Sequence, residues 1–211
     1  MKLHGFHRST ASYRVRIALA LKGIAHENAY YVLRKGDQRT PAYLELNPQG
    51  LVPSLELDDG SVLTQSLAIC EYLDETRPEP PLLPHTAHDK AKVRALAQVI
   101  ACDVHPVQNL KILARLREFG VDEAGVEQWA RTTIEEGLHA FDVLIADCAG
   151  TFCFGDQVTL ADICLVPQLA NAARFGVDYA QKWPRLARIE KACLAIGAFA
   201  QSKPEAQLDA I

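Results

Sequence analysis

The segment HRSTASYRVRIALALKG, residues 7–23, contains three hydroxyl side chains close together. They lie between a short apolar segment and a segment with a helical pattern. They belong to Ser9, Thr10 and Ser12. Around them are the arginines Arg8, Arg14 and Arg16. The first N–H groups of a helix are unpaired and carry positive partial charge, so hydroxyl donors there can stabilise an anion. A simple serine or threonine helix cap is the plainer interpretation of the same residues.

A thiolate is one anion that such a helix start would stabilise, because hydrogen bonds and the helix dipole lower the pKa of a thiol. The segment contains no cysteine, so a thiolate used here has to arrive with a ligand. The arginines would attract a negatively charged molecule despite the formal net charge of −4. In a second interpretation, one or both of Arg14 and Arg16 pair with acids inside the fold.

Two later segments extend the same chemistry. Pro53 begins an apolar strand, and a cis proline would leave the backbone of Val52 free to pair with an extended peptide. Gln65 and Ser66 follow a strand and begin a helix, where the serine can donate to a carboxylate. An edge proline and a helix cap are the plain alternatives. Together with the hydroxyl cluster, these segments predict a site for a small, extended, anionic peptide with a thiol, and glutathione fits that description.

Strands and helices alternate in the half of the chain that carries these residues. Alternating and β-branched patterns predict strands at 2–6, 28–33, 52–57 and 61–64, with helices at 12–22 and 65–75 and a helical turn at 41–46. The order is βαβ followed by ββα, which is the order of the thioredoxin fold. RPEPPLLP, residues 77–84, has four prolines in eight residues and predicts a semi-rigid linker.

The rest of the chain has a helical pattern throughout. Helices are predicted at 89–116, with a break near Pro106, and at 126–146 and 186–199. Thr159 and Asp162 form a predicted capping box, and the tail after Lys203 is predicted to fray. The predicted domains are 1–80 and 86–211.

Composition narrows the function classes. The chain has no block of basic residues that would track a phosphate backbone, and no apolar run near the roughly 20 residues of a membrane span. We therefore expect no nucleic-acid partner and no membrane, and the absence of a secretion signal predicts a cytoplasmic protein. The six cysteines are scattered without metal-ligand spacing, so reduced thiols and no metal site are expected.

STASYRVRIAL, residues 9–19, resembles the pattern Ser-Ser-Cys-Ser-x-Arg-Val-Arg-Ile-Ala-Leu of zeta-class glutathione transferases, the class that includes maleylacetoacetate and maleylpyruvate isomerases. The segments LNPQGLVPSL, QSLAICEYLDETRP, HPVQNL and GDQVTLADICLVPQLANAARFGVD are also similar to family segments, in the same order. The resemblance covers nearly the whole chain. It implies the glutathione transferase architecture, an α+β thioredoxin-like N-terminal domain followed by an all-α C-terminal domain, and a homodimer.

The resemblance also implies residue roles. Ser9 would activate the glutathione sulfur, and Arg8 and Arg174 would hold substrate carboxylates. The implied glutathione-binding residues are Ser9, Thr10, Ala11, Ser12, Arg14, Gln38, Val52, Pro53, Gln65, Ser66, His105, Asn109 and Lys111. His105 could instead be a structural histidine at the helix break, and Arg174 a surface ion pair. Ala11 departs from the family, which has cysteine there, so any contribution of that cysteine is in doubt.

The implied activity is glutathione-dependent cis–trans isomerisation of a maleyl keto acid, a small dianion with a carboxylate at each end. Conjugation or dehalogenation of small α-halo acids at the same site is the alternative. A non-catalytic binding module is disfavoured because Ser9, Gln65 and Ser66 are all present. A glutaredoxin-type redox role is disfavoured because the loop before the first helix has no cysteine.

Overall fold

The structure, a computed structural model, describes residues 1–210 and forms two compact units. The first contains Met1–Leu82 together with the segment from Ala195 onward, and the second is Leu83–Leu194. The sequence-based prediction assigned that last segment to the helical domain.

The first unit is built around a four-stranded mixed sheet. Its elements are β1 (Lys2–Gly5), α1 (Thr10–Leu21), β2 (Glu27–Tyr30), α2 (Pro41–Leu46), β3 (Ser54–Glu56), β4 (Val62–Thr64) and α3 (Ser66–Thr76). The strand order is β2-β1-β3-β4, in which β1 is parallel to β2 and antiparallel to β3, and β3 is antiparallel to β4. The thioredoxin-like fold is confirmed, with strands that are shorter than predicted.

Helix α1 is buried on nearly all sides because it packs against α3 and also against α10 (Gly197–Gln201). Val15, Ile17 and Leu19 have no exposed surface. The Tyr13 hydroxyl donates to the Phe199 carbonyl at 3.3 Å. This double packing explains why the hydrophobic residues of α1 are not confined to one stripe.

The proline-rich linker is held to the first unit by a buried lysine. Lys22 Nζ donates to Asp74 Oδ1 at 2.6 Å and to the carbonyl oxygens of Pro78 and Pro80. Its side chain has no exposed surface, so the ammonium group satisfies its hydrogen bonds entirely within the protein.

The second unit is helical, as predicted. Its helices are α4 (Ala87–Gln98), α5 (Leu110–Glu118), α6 (Glu123–Leu144), α7 (Leu160–Arg174), α8 (Tyr179–Lys182) and α9 (Pro184–Leu194). The predicted break near Pro106 is preceded by a π-helical segment, Val99–Val104, that continues from α4. Where a single helix was predicted at 186–199, α9 ends at Leu194 and α10 starts at Gly197.

The capping box at the start of α7 is confirmed. The fully buried Asp162 carboxylate accepts from the backbone N–H and hydroxyl of Thr159 at 2.8 and 3.0 Å, and from the Cys153 N–H at 2.8 Å. Burial raises the pKa of Asp162, and these donors oppose that effect. Asp162 thus joins the loop before α7 to the helix itself.

The described residues also bear on membrane spans, metal sites and cysteines. Within residues 1–210, no helix combines the length and the apolar character that a bilayer span requires. No group of three or more histidine, cysteine or acidic side chains in those residues could hold a metal ion. Four cysteines are buried, Cys148 is half-buried and Cys102 is exposed, and all six are free thiols.

Candidate active site

Ser9 is the N-cap of α1, where the sequence left Ser9 and Thr10 as the candidate caps. Its backbone is extended, with φ −70° and ψ 118°, and its Oγ accepts from the Ser12 N–H at 3.1 Å. The accepted bond leaves the hydroxyl hydrogen of the half-buried Ser9 available to donate outward at the positive end of the helix. Thr10 and Ser12 are buried, and their hydroxyl oxygens have no hydrogen-bond partner among residues 1–210.

Arg14 connects this helix start to the start of α3. It is only 1% exposed, and its Nη1 donates to Ser66 Oγ at 3.2 Å. The other guanidinium donors, Nε and Nη2, have no partner in the described part of the chain. With one lone pair engaged by Arg14, the Ser66 hydroxyl can direct its hydrogen to an acceptor at the N-terminus of α3.

Arg16 does not line an anion-attracting surface, contrary to the sequence-based expectation, and neither does it pair with an acid by hydrogen bonds. Its guanidinium donates to the carbonyl oxygens of Phe6 at 3.3 Å, His7 at 3.0 Å and Ser202 at 3.0 Å. Burial lowers the pKa of Arg16 to about 10, an effect that Asp209 partly offsets. Arg14 is also buried, so Arg8 is the exposed arginine of the three.

The loop that carries Val52 is held by two side chains of α2 and its C-terminal end. The Tyr43 hydroxyl donates to the Leu51 carbonyl at 2.6 Å, and Asn47 Nδ2 donates to the same oxygen at 2.8 Å. Tyr43 also contacts Ser54 Oγ at 3.1 Å. The Val52–Pro53 peptide bond is cis, as predicted. These bonds fix the carbonyl that immediately precedes Val52.

Gln65 has a backbone conformation that is unusual for its residue type. Its φ is 68° and its ψ is 115°, and it is the one non-glycine residue with positive φ in residues 1–210. Such a conformation costs about 1–3 kcal/mol and concentrates at functional sites. The Gln65 amide donates to Gln49 Oε1 at 3.0 Å, which links the start of α3 to the loop before Val52.

Gln38 lies in a single 3₁₀ turn at Asp37–Arg39. Its Nε2 donates to the Leu33 carbonyl at 3.3 Å, and its Oε1 is buried without a partner among the described residues. The bond to Leu33 holds the Gln38 side chain against its own loop, and its contact with glutathione stays a prediction.

Four predicted site residues belong to the second unit. His105 directly follows the π-helical segment, and Asn109 is the N-cap of α5. Lys111 is exposed in the first turn of α5. Arg174 is exposed in the last turn of α7, where its Nε donates to the Ala170 carbonyl at 3.3 Å. Their roles toward a ligand stay predictions.

Two sets of supporting residues were missed at the level of sequence. Tyr43, Asn47 and Gln49 organise the Val52 loop, and the segment NPQG offered a signal because asparagine bonds its own backbone two residues on. From the far end of the chain, Asp209 bonds His7 in the turn before Ser9, and Ser202 bonds Arg16, which itself holds that turn. No local sequence pattern predicted either contact.

The described residues of the first unit fit glutathione. The tripeptide has carboxylates and a thiol, and this unit offers a hydroxyl donor at the positive end of α1 and another at the start of α3. The unpaired Thr10 hydroxyl and Arg14 donors are buried beside those same helix starts. This chemistry suits an anionic ligand better than an apolar one.

Comparison with known proteins agrees with this geometry. The glutathione S-transferase N-terminal domain family matches residues 8–76. A maleylacetoacetate isomerase of Pseudomonas aeruginosa is 47% identical over 99% of this chain and 98% of its own length. The chain belongs to the maleylacetoacetate isomerase family of zeta-class glutathione transferases.

Two solved structures of this family share the whole fold. The holo form of a bacterial zeta-class maleylpyruvate isomerase has a TM-score of 0.96 with 44% identity, and all of both chains is covered. A maleylacetoacetate isomerase from Methylobacterium extorquens AM1, with bound malonate and glutathione, has a TM-score of 0.96 with 42% identity and the same full coverage. The family uses glutathione, and the second structure also holds a small dicarboxylate.

Proposed function

We propose that this protein is a glutathione-dependent cis–trans isomerase that converts maleylacetoacetate or maleylpyruvate into the fumaryl isomer. The observation that carries the proposal is the geometry of Ser9, whose oxygen is engaged by the Ser12 N–H while its hydrogen remains available at the N-terminus of α1. The chain is similar over its full length to a maleylacetoacetate isomerase and to a maleylpyruvate isomerase, which supports the reaction class.

Bound glutathione supplies a thiol nucleophile whose reversible addition to the cis double bond permits rotation and yields the trans product. Ser9 donates a hydrogen bond to the sulfur and, with the helix dipole, lowers its pKa. Arg8 and Arg174 hold the two carboxylates of the substrate and stabilise negative charge on its keto oxygen. Both arginines are exposed, as residues that meet a substrate from solvent must be.

The remaining residues hold the tripeptide. Ser66, oriented by Arg14, and Gln65 bind the γ-glutamyl end, while the Val52 backbone before Pro53 pairs with the cysteinyl part. Further contacts come from Thr10, Ala11, Ser12, Gln38, His105, Asn109 and Lys111. This assignment follows family resemblance, and the buried unpaired donors near α1 support it.

A spectrophotometric isomerase assay tests the proposal. Maleylpyruvate and maleylacetoacetate are each incubated with and without glutathione, using the wild type, Ser9→Ala and the control Ser61→Ala. Ser61 is an exposed hydroxyl residue just after the hairpin turn, and its Oγ bonds Asp59. We expect rapid conversion that requires glutathione but does not consume it, a loss of about 100-fold in Ser9→Ala, and wild-type rates in Ser61→Ala.

Failure to convert either substrate, with glutathione still bound, would overturn the isomerase proposal. Stoichiometric loss of glutathione with an α-halo acid would then favour the conjugating or dehalogenating transferase, which uses the same Ser9 hydroxyl. The faster of the two isomerase substrates identifies the physiological one.

The biological setting is part of the proposal. The maleylacetoacetate reaction belongs to tyrosine and phenylalanine catabolism, and the maleylpyruvate reaction to gentisate breakdown. We place the enzyme in the cytoplasm as a homodimer, on the strength of its resemblance to zeta-class enzymes. Light scattering during size-exclusion chromatography tests the dimer, with an expected mass of twice 23.2 kDa.

A further inference from the structure

The turn that presents Ser9 is held by hydrogen bonds from Arg16 in α1 and from Asp209 near the other end of the chain. Ser9 itself closes the turn, since its N–H donates to the Phe6 carbonyl at 3.0 Å. Arg16 donates to the carbonyl oxygens of Phe6 and His7. Asp209 Oδ2 accepts from the His7 N–H at 2.9 Å. Both backbone polar groups of His7 are therefore bound by side chains.

Asp209 has a second contact with the same residue. Its Oδ2 lies 3.3 Å from His7 Nδ1, and the Asp209 side chain is only 11% exposed. A carboxylate that is largely removed from water keeps its hydrogen bonds at short range, since breaking them leaves a buried charge without compensation. The contact is thus more than a surface ion pair.

Arg16 connects the tail to this turn by a third route. The same guanidinium that holds Phe6 and His7 also donates to the Ser202 carbonyl at 3.0 Å. Asp209 also acts electrostatically on Arg16. The segment from residue 202 to 209 and the turn at residues 6–9 therefore share one buried polar network.

We infer that Asp209 is a positioning residue for the isomerase reaction, which holds the His7 backbone so that the Ser9 hydroxyl meets the glutathione sulfur. The inference rests on the proposed function, because Ser9 has this role only if glutathione is bound. A displacement of about 1 Å in a reacting group can cost roughly 100-fold in rate. Asp209 contacts His7, which is two residues before Ser9, although 202 positions separate Asp209 from His7 along the chain.

The direction in which the pKa of the bound glutathione thiol changes distinguishes a positioning role of Asp209 from a purely electrostatic one. Removing a negative charge near the site would by itself lower the pKa of the bound thiol, because like charges disfavour ionisation. Loss of the Ser9 hydrogen bond would raise that pKa instead. A structural role alone would change thermal stability and leave the thiol pKa where it was.

The test measures the thiolate absorbance of bound glutathione as a function of pH, together with kcat and KM for glutathione. The variants are Asp209→Ala, Asp209→Asn and the control Glu205→Ala, an exposed acid of the same segment. In Asp209→Ala we expect the thiol pKa to rise by about one unit and kcat at neutral pH to fall about tenfold, with a smaller change in KM. Asp209→Asn removes the charge but keeps an oxygen that accepts from the His7 N–H, so its thiol pKa should stay the same or fall slightly and its kcat should be retained. The Glu205→Ala control should match the wild type.

An unchanged thiol pKa and kcat in Asp209→Ala, or an equal loss in Asp209→Asn, would overturn the inference. If Asp209→Ala does not fold, Asp209→Glu replaces it, since it lengthens the side chain by one methylene group. We expect this variant to raise the thiol pKa by less than one unit, and a wild-type thiol pKa in it would also overturn the inference. A wild-type enzyme that binds glutathione without lowering its thiol pKa would instead refute the proposed function.

Discussion

Arg14 Nη1 lies 3.2 Å from Ser66 Oγ, and this bond joins two helices whose N-termini form the candidate glutathione site. Arg14 is 1% exposed and pairs with a hydroxyl rather than with an acid. Within the described residues, Nε and Nη2 of Arg14 have no hydrogen-bond partner, so they are suited to bind a carboxylate of an anionic ligand at Ser66.

Arg14→Met tests this relationship, since methionine keeps much of the buried length and removes the donors. We expect the Kd for glutathione to rise about tenfold, which corresponds to about 1.4 kcal/mol. Isothermal titration calorimetry measures the change. Arg34→Met, at an exposed arginine of a 3₁₀ turn, is the control and should bind as the wild type does. Unchanged affinity in a folded Arg14→Met protein would contradict the role given to this residue.

Tyr43→Phe removes the hydroxyl that bonds the Leu51 carbonyl and contacts Ser54. We expect the free energy of unfolding to fall by about 1 kcal/mol, because the partly buried Leu51 carbonyl loses one of its two donors. The KM for glutathione should rise as the Val52 backbone becomes less well held. Urea denaturation and steady-state kinetics measure the two effects, and Tyr72→Phe, at a half-buried tyrosine of α3, is the matched control.

Gly137→Ala should destabilise the second unit, although alanine usually stabilises a helix by up to about 1 kcal/mol. A Cβ at Gly137 in α6 would lie 2.0 Å from Val104 Cγ2, and Val104 is itself 2% exposed. Overpacking of this kind costs about 1–3 kcal/mol. Thermal unfolding measures the loss, and the double variant with Val104→Ala should recover most of it.

Gly197→Ala is the matched control for thermal unfolding, and it should not destabilise the protein. A Cβ at this first residue of α10 would meet nothing within 4 Å, so stability should be unchanged or slightly higher. A higher melting temperature in Gly137→Ala than in Gly197→Ala would show that the packing of α6 against the π-helical segment is looser than the structure indicates.

Alkylation separates the native thiols by exposure and pKa. Cys102 is exposed, whereas burial raises the pKa of Cys148, Cys153 and Cys193. Brief treatment of the native protein with iodoacetamide at neutral pH should therefore add one label, at Cys102, and unfolded protein should take all six. Mass spectrometry counts the labels.

Ala11→Cys should add a second reactive thiol to the native protein. Residue 11 is half-buried in the first turn of α1, where the helix dipole lowers the pKa of a cysteine. Glutathione should protect this thiol if the site lies where we place it. An Ala11→Cys protein that is labelled equally fast with and without glutathione would argue against that placement.

Local patterns predicted which elements form, and they located some helix starts but not all: α1 begins at Thr10 where the prediction had residue 12. Pro41 begins the helix that was predicted from it, and Thr159 and Asp162 form the predicted capping box, because caps and turns depend on residues within a few positions. The same reasoning predicted a cap at Ser9 or Thr10, and the structure places it at Ser9. The predicted strand at 28–33 ends at Tyr30, since strand ends depend on the neighbouring strand and not on propensity alone.

Contacts between distant residues could not be predicted in this way. Arg16 and Ser202 are 186 positions apart, and an arginine in a helix carries no mark that tells three backbone carbonyls from an acid or from solvent. The positive φ of Gln65 was equally hidden, because glycine is the residue type that normally signals it. The segment after Lys203 was expected to fray, yet it forms a 3₁₀ turn at Pro204–Ala206 and binds His7 through Asp209.

The inclusion of residues 195–209 in the first unit has a consequence for synthesis on the ribosome. Domains generally fold from the N-terminus as the chain emerges, at about 5–20 residues per second. The sheet and α1 of this unit are complete by Leu82, but the groups that bind Arg16 and His7 are translated on the order of ten seconds later. During that interval α1 lacks its contact with Phe199, and the nascent N-terminal half exposes the apolar surface that α10 will cover. The unit that is encoded first is therefore among the last parts of the molecule to be finished.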